Sequence, residues 1–255
     1  MIKAKAILCV VAAGFGLLFL TGCGDAGPKL SPAGNSEIIP EAKLMIASPQ
    51  EGEILPADQP VSVVVSTEGF ELGAVTEGAA EKGIAHSKMG QHVHIIVDNE
   101  VYKALYQAGE KFDLGMLPEG THTIRAFLSR SWHESLKNDE AFKTVVFHVG
   151  RETGAPFVLG QPLLTYSRPK GTYTGDETER LMVDYWVNGI ALGDRAYKVR
   201  LTVDGKTWDL TEWQPYYIEG LKPGDHAFKL ELIDPQGQMA PGLYNSTERT
   251  VTIAE

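Results

Sequence analysis

Two histidines separated by one residue, His92 and His94, stand in an alternating apolar run, Gln91-His-Val-His-Ile-Ile-Val-Asp-Asn99. In an extended strand that spacing projects both imidazoles from one face, so two ring nitrogens can grip a single metal ion. Val93, Ile95 and Val97 take the opposite, core-facing register. The histidines are therefore expected on the outer face of a sheet, in solvent. Imidazole with thioether suits copper, and imidazole alone suits zinc, and both kinds of ligand lie nearby: His86 and Met89 just before the run, Trp132 and His133 in Arg130-Ser-Trp-His-Glu-Ser-Leu-Lys-Asn138. Arg125 and Phe127 fall on the outward register of a neighbouring run and extend the patch.

What positions these residues is a duplication. Val61–Gly73 matches Leu181–Gly193 without a gap, His94–Asn99 matches Arg200–Gly205, and Leu117–His122 matches Leu221–His226, in the same order. Each copy consists of short alternating runs between turn residues, the pattern of an antiparallel β-sandwich. The first copy predicts strands near 43–48, 61–67, 92–98, 101–106, 111–115, 121–129 and 143–149. The second predicts them near 163–167, 181–188, 197–203, 207–211, 215–219, 226–233 and 248–253. The fold class expected is all-β: two tandem immunoglobulin-like sandwiches, over 43–150 and 160–255. A short joint near Gly150–Gly160 is expected to set them end to end.

The duplication also sorts the histidines. His122 and His226 occupy equivalent sites after a turn glycine, which marks them as structural, satisfying groups at a sandwich corner. His148 faces outward at the far end of its strand and is set aside. His92 and His94 correspond to the charged Lys198 and Arg200, as outward-facing positions should. The first copy also carries an inserted loop, 74–90, where the second has only Asp194–Ala196. In this topology that loop shares an end of the sandwich with 130–138, so His86, Met89, His92, His94, Trp132 and His133 are expected to meet there. In the second copy, Trp208, Trp213, Tyr216 and Tyr217 are read as packing aromatics in preference to a glycan-stacking surface. Trp186 is a further candidate for the joint.

The N-terminus sets the location. Lys3 and Lys5 precede an apolar run from Ala6 to Leu20, the length of a signal-peptide core. The run ends in Leu20-Thr21-Gly22-Cys23, which resembles the bacterial lipobox. That resemblance implies removal of 1–22 and a lipid on Cys23, and Gly24 after the cysteine favours the outer over the inner membrane. Residues 23–42, rich in Gly, Pro and Ser, are expected to tether the body with a reach of about 25 Å. Of the two cysteines, Cys9 lies in the removed segment, so the exported body offers neither thiolate ligands nor a thiol nucleophile. The formal charge is −10, two units more negative once Lys3 and Lys5 are gone. Such a surface excludes nucleic acid as a partner.

Beyond the lipobox, the chain resembles a group of uncharacterised bacterial surface lipoproteins built from tandem immunoglobulin-like or fibronectin-III-like domains. The resemblance spans essentially all of the exported chain. It is most specific at Gln91–Asn99, Ser129–Glu134 and Thr211–Tyr217. It implies fold and envelope location, and no mechanism.

No nucleophile elbow, phosphate loop, zinc-protease helix or paired-carboxylate motif stands in the sequence, so a non-enzymatic protein without a cofactor is expected. Two functions follow. In the first, the protein is a membrane-anchored adaptor that recognises an envelope protein or ligand at the loop end of the first sandwich, through His86, Met89, His92, His94, Arg125, Phe127, Trp132 and His133. In the alternative, it is a periplasmic copper- or zinc-binding protein built on His92 and His94.

Overall fold

The computed structural model describes residues 27–154 and 160–255, and its regular structure is strand with three short 3-10 turns. Residues 1–26, which hold the expected leader and lipidated Cys23, and residues 155–159 of the joint lie outside the described residues. A first strand, β1 (Lys29–Pro32), precedes the two repeats. The first repeat contains β2 (Lys43–Ser48), β3 (Ile54–Leu55), β4 (Val61–Glu68), β5 (His92–Val97), β6 (Lys103–Leu105), β7 (Phe112–Gly115), β8 (Gly120–Ser129) and β9 (Phe142–Val149). The second contains β10 (Leu163–Arg168), β11 (Gly171–Tyr173), β12 (Arg180–Asn188), β13 (Lys198–Val203), β14 (Lys206–Leu210), β15 (Tyr216–Glu219), β16 (Gly224–Ile233) and β17 (Ser246–Ile253).

The two repeats share one topology. A sheet ordered β2-β4-β7 faces one ordered β3-β9-β8-β5-β6; in the second repeat, β10-β12-β15 faces β11-β17-β16-β13-β14. The pairing is antiparallel, except that β3 runs parallel to β9 and β11 parallel to β17. This is the immunoglobulin-like and fibronectin-III-like sandwich the alternation predicts. Val63, Val65, Val93, Ile95, Ile124 and Phe147 fill the first core, and Val183, Tyr185, Leu201, Phe228, Leu230 and Val251 the second.

The repeated histidines hold the same corner in both copies. His122 Nδ1 lies 2.8 Å from Asp98 Oδ2 and its Nε2 2.8 Å from the Pro118 carbonyl. His226 repeats this with Asp204 at 2.5 Å and the Lys222 carbonyl at 2.7 Å. Each aspartate also accepts a backbone N–H, from Thr123 or Ala227. Asp98 and Asp204 adopt positive φ, 52° and 48°, a conformation that short polar side chains tolerate in turns.

The sandwiches are packed side by side, which corrects the end-to-end arrangement expected from the short joint. The outward face of β5 and β8 lies against the outward face of β10 and β12. Trp186 of β12 enters the first repeat's apolar cluster, stacked 5.0 Å from Phe142 and 6.2 Å from Phe127, with Trp213 edge-on at 4.9 Å. Polar groups cross the same boundary. Lys137 Nζ reaches Asp184 Oδ1 and the Tyr185 carbonyl, each at 2.8 Å, and the Arg125 guanidinium reaches the Leu164 carbonyl and Thr165 Oγ1 at 3.1 Å.

This packing explains a contrast between the copies. Strand β13 alternates buried and half-buried residues, as a one-sided sheet should. Its counterpart β5 is buried at all six positions. The outward register assigned to His92 and His94 is the observed one, but the expectation of solvent exposure is corrected: the second sandwich covers that face.

The tether is also shorter than 23–42. Residues Lys29–Pro32 add β1 to the edge of the second repeat beside β15. Ser36 then donates from N and Oγ to the Glu134 carboxylate at 2.8 and 2.6 Å, and Arg130 donates to the Glu37 carbonyl. Backbone hydrogen bonds to a sheet edge outweigh the compositional signal for free chain here.

Candidate metal centre

At one end of the first sandwich the 74–90 loop meets residues 130–138. Thr76 N donates to Ser131 Oγ at 2.8 Å and Ser87 N to the Ser131 carbonyl at 2.7 Å, so the inserted loop and 130–138 are bound together. Ala79 and Ile84 of the insertion pack with Trp132 and with Met182 of the second repeat. Beneath them three histidines converge: His92 and His94 from β5, and His133 from the loop.

One ligand nitrogen from each ring lies within 4.8 Å of the others. His92 Nε2 is 2.9 Å from His94 Nε2 and 3.0 Å from His133 Nδ1. A metal ion bound at about 2.0–2.1 Å by three imidazoles sets its ligand nitrogens roughly 3.3–3.6 Å apart. Two edges of the observed triangle are a few tenths of an ångström short of that spacing, and the His94–His133 edge, within the 4.8 Å that bounds the set, would have to close by about 1 Å.

Hydrogen bonding from behind orients the His92 and His94 rings, whereas Tyr102 approaches His133 at the nitrogen that faces His92. His92 Nδ1 lies 2.9 Å from the Gly90 carbonyl. It must donate there, which leaves Nε2 with its lone pair toward the other rings. His94 Nδ1 lies 3.2 Å from Ser167 Oγ of β10, and its ring stacks on Tyr102 at 3.5 Å. His133 Nδ1 lies 3.2 Å from the Tyr102 hydroxyl. One lone pair on His92 Nε2 thus faces two neighbouring nitrogens. In one neutral set His94 Nε2–H donates to His92 Nε2 and the Tyr102 hydroxyl donates to His133 Nδ1, and a cation bound at the three nitrogens would replace both bonds.

Burial keeps the rings neutral. Desolvation lowers the His92 pKa to about 4, with Arg168 and Lys170 adding to the effect against the Gly90 carbonyl. Desolvation, then the neighbouring histidines and the same cations, hold His94 well below the usual imidazole range. His133 is likewise depressed, by burial first and then by Arg168. Neutral imidazole is the form that binds metal.

The backbone makes concessions to this arrangement. His133 sits at φ 69°, a left-handed conformation that costs a residue with a Cβ about 1 kcal/mol or more. Gly90, at φ 90°, has the Gly73 and Ala74 carbonyl oxygens 2.5 Å from where a Cβ would stand. Only glycine allows that approach, and its own carbonyl orients His92.

The remaining expected site residues are dispersed. Arg125 and Phe127 are buried in the interface between the sandwiches, and Trp132 is buried with its Nε1 donating to Glu134 at 2.7 Å. His86 is half-buried beside the Ile84 carbonyl and outside the ligand set. Met89 is exposed, on the rim of an open cleft of about 760 Å³ lined also by Tyr106, Gln107, Lys111 and Phe112. Six of the eight residues expected at a recognition surface are therefore buried. Tyr102, Tyr106, Ser167 and Arg168 surround the cluster and were not singled out by sequence. Tyr102 had a readable signal: His94 pairs with Ala104, so residues 102 and 106 share the histidine face. Ser167 and Arg168 come from the other repeat and had none.

No protein-family profile matches the chain, and no curated protein sequence matches it. Among solved structures it is similar to the fibronectin(III)-like modules of Clostridium thermocellum CbhA, at 14% identity and TM-score 0.29, over 83% of this chain and 94% of that one. It is also similar to domains 4 and 5 of the S-layer protein SbsC, at 12% identity and TM-score 0.22, over 86% and 100%. A third similarity is to the D00-D0 domain of intimin, at 12% identity and TM-score 0.22, over 83% and 100%.

Proposed function

We propose that this protein is a non-enzymatic, lipid-anchored component of the bacterial cell envelope, held through Cys23 with the outer membrane favoured, that binds one copper or zinc ion through His92, His94 and His133. The convergence of three neutral imidazoles, two from one strand and one from a left-handed turn, carries the metal reading. The lipobox-like Leu20-Thr21-Gly22-Cys23 and the resemblance to tandem-sandwich surface lipoproteins support the location.

Titration of the full chain in detergent with Cu²⁺ and Zn²⁺ tests it. One ion per chain at micromolar affinity or tighter is expected. It should be lost in His92→Ala/His94→Ala and strongly weakened in His133→Asn, whose asparagine suits the positive φ. Undiminished binding in these variants would overturn the metal reading. The second reading, recognition of an envelope protein or ligand, rests on the open cleft beside Met89 and Tyr106. Under that reading Met89→Glu abolishes partner binding while the histidine variants do not.

A further inference from the structure

The three ligand nitrogens do not form an equal-sided triangle. Two edges, 2.9 and 3.0 Å, meet at His92 Nε2, and the longer His94–His133 edge lies within 4.8 Å. Nitrogens bound to one ion at about 2.0–2.1 Å stand roughly 2.8–3.0 Å apart when their bonds meet at a right angle, and roughly 4.0–4.2 Å apart when opposed. A T, with His94 and His133 opposed across the ion and His92 as the stem, therefore keeps both short edges as they are. It asks the long edge to close by less than about 1 Å, whereas a tetrahedral ion asks all three edges to change.

A square-planar divalent ion also accepts a T, but it takes a further ligand at the fourth corner, as a tetrahedral ion does at its fourth position. The surroundings supply little for that role. His92 and His94 are fully buried and His133 nearly so. The enclosed space beside His133 holds about 10 Å³, the lower bound for one water, and neither His92 nor His94 lines it. The Glu134 carboxylate is engaged by Trp132 Nε1 and by Ser36. Tyr102 stacks parallel to His94 at 3.5 Å, so its hydroxyl stands off the plane in which His94 binds an ion.

The charge around the rings points the same way. Arg168, which is buried, and the half-buried Lys170 both act on all three histidines as cations, and Lys170 Nζ sits 3.6 Å over the Tyr102 ring. Repulsion from these cations is twice as large for a divalent ion as for a monovalent one. Resting on the metal reading, we infer that the ion this site selects is monovalent copper, held in a T by His92, His94 and His133. Imidazole suits copper, and a filled d shell with a single charge lets Cu⁺ do without a fourth ligand or a compensating anion.

The test compares Cu⁺ and Zn²⁺ on the full chain in detergent, without oxygen, each ion in competition with a chromophoric chelator. Cu⁺ should bind on the order of a hundredfold more tightly than Zn²⁺, as its smaller charge and lower demand for ligands require. X-ray absorption of the Cu⁺ form should show three imidazole nitrogens and no further ligand. Lys170→Met keeps an apolar stem over Tyr102 and removes one cation, so it should favour Zn²⁺ more than Cu⁺ and narrow the preference on the order of fivefold. Zn²⁺ bound as tightly as Cu⁺, a fourth ligand on Cu⁺, or a preference unmoved by Lys170→Met would overturn the monovalent assignment and leave the histidine site standing. A chain that binds no Cu⁺, Cu²⁺ or Zn²⁺ at all would overturn both.

Discussion

His92→Gln offers a quantitative handle on the buried imidazoles in the metal-free protein. In the unfolded chain His92 titrates near 6.5, and in the folded chain burial lowers its pKa to about 4. As pH falls below 6.5 the unfolded state takes up a proton that the folded state refuses, so stability contributed by the neutral ring is present above 6.5 and is lost on the way down to 4. At about 1.4 kcal/mol per pH unit, the wild type forfeits about 2 kcal/mol between pH 7 and pH 5 through this one residue. Glutamine has no such proton. The variant should be less stable than wild type at pH 7, because a buried hydrogen-bonded ring is removed, and that deficit should shrink by about 2 kcal/mol by pH 5. Urea denaturation with a chelator present, at half-unit pH steps, measures the difference directly. A deficit that stays constant from pH 7 to pH 5 would refute the claim that His92 is buried and neutral.

Other consequences follow from the side-by-side packing. Lys137→Met strands the fully buried Asp184, whose 2.8 Å partner it removes, and should cost about 3–5 kcal/mol in urea denaturation; Lys137→Met/Asp184→Leu should recover most of that loss. Trp186→Ala should cost a similar 3–5 kcal/mol, because that side chain fills a space between Phe142, Phe127 and Trp213. Calorimetry of the wild type should show one transition for both sandwiches, and two resolved transitions would contradict the shared interface. Gly90→Ala should lower both the thermal midpoint and the metal affinity, since a Cβ there meets two carbonyl oxygens.

Much of the fold was legible because strand alternation and turn chemistry are local. The run from His92 to Val97 and its hairpin partner follow from period two and from Asp98-Asn99. The paired His122 and His226 corners follow from comparing the copies. The strands not expected, β1, β3 and β11, are two to four residues long and lie at sheet edges. In so few residues no alternation accumulates. The convergence of His92, His94 and His133 was also within reach, since the insertion at 74–90 and the 130–138 loop share an end of the sandwich. Their burial was not. It depends on Ser167, Asp184 and Trp186 coming from the other repeat, a contact between distant faces that no periodicity encodes. Trp186 gave a partial signal as a large aromatic on an outward register. The sign of the surrounding charge was hidden for the same reason: Arg168 and Lys170 belong to the second repeat.

X-ray absorption at the metal edge tests the histidine site most directly. Loaded with one equivalent of Zn²⁺ or Cu²⁺, the full chain should give three imidazole nitrogens at about 2.0–2.1 Å, and the imidazole count should fall in His133→Asn. A shell dominated by oxygen, or an imidazole count that His133→Asn leaves unchanged, would contradict binding at His92, His94 and His133.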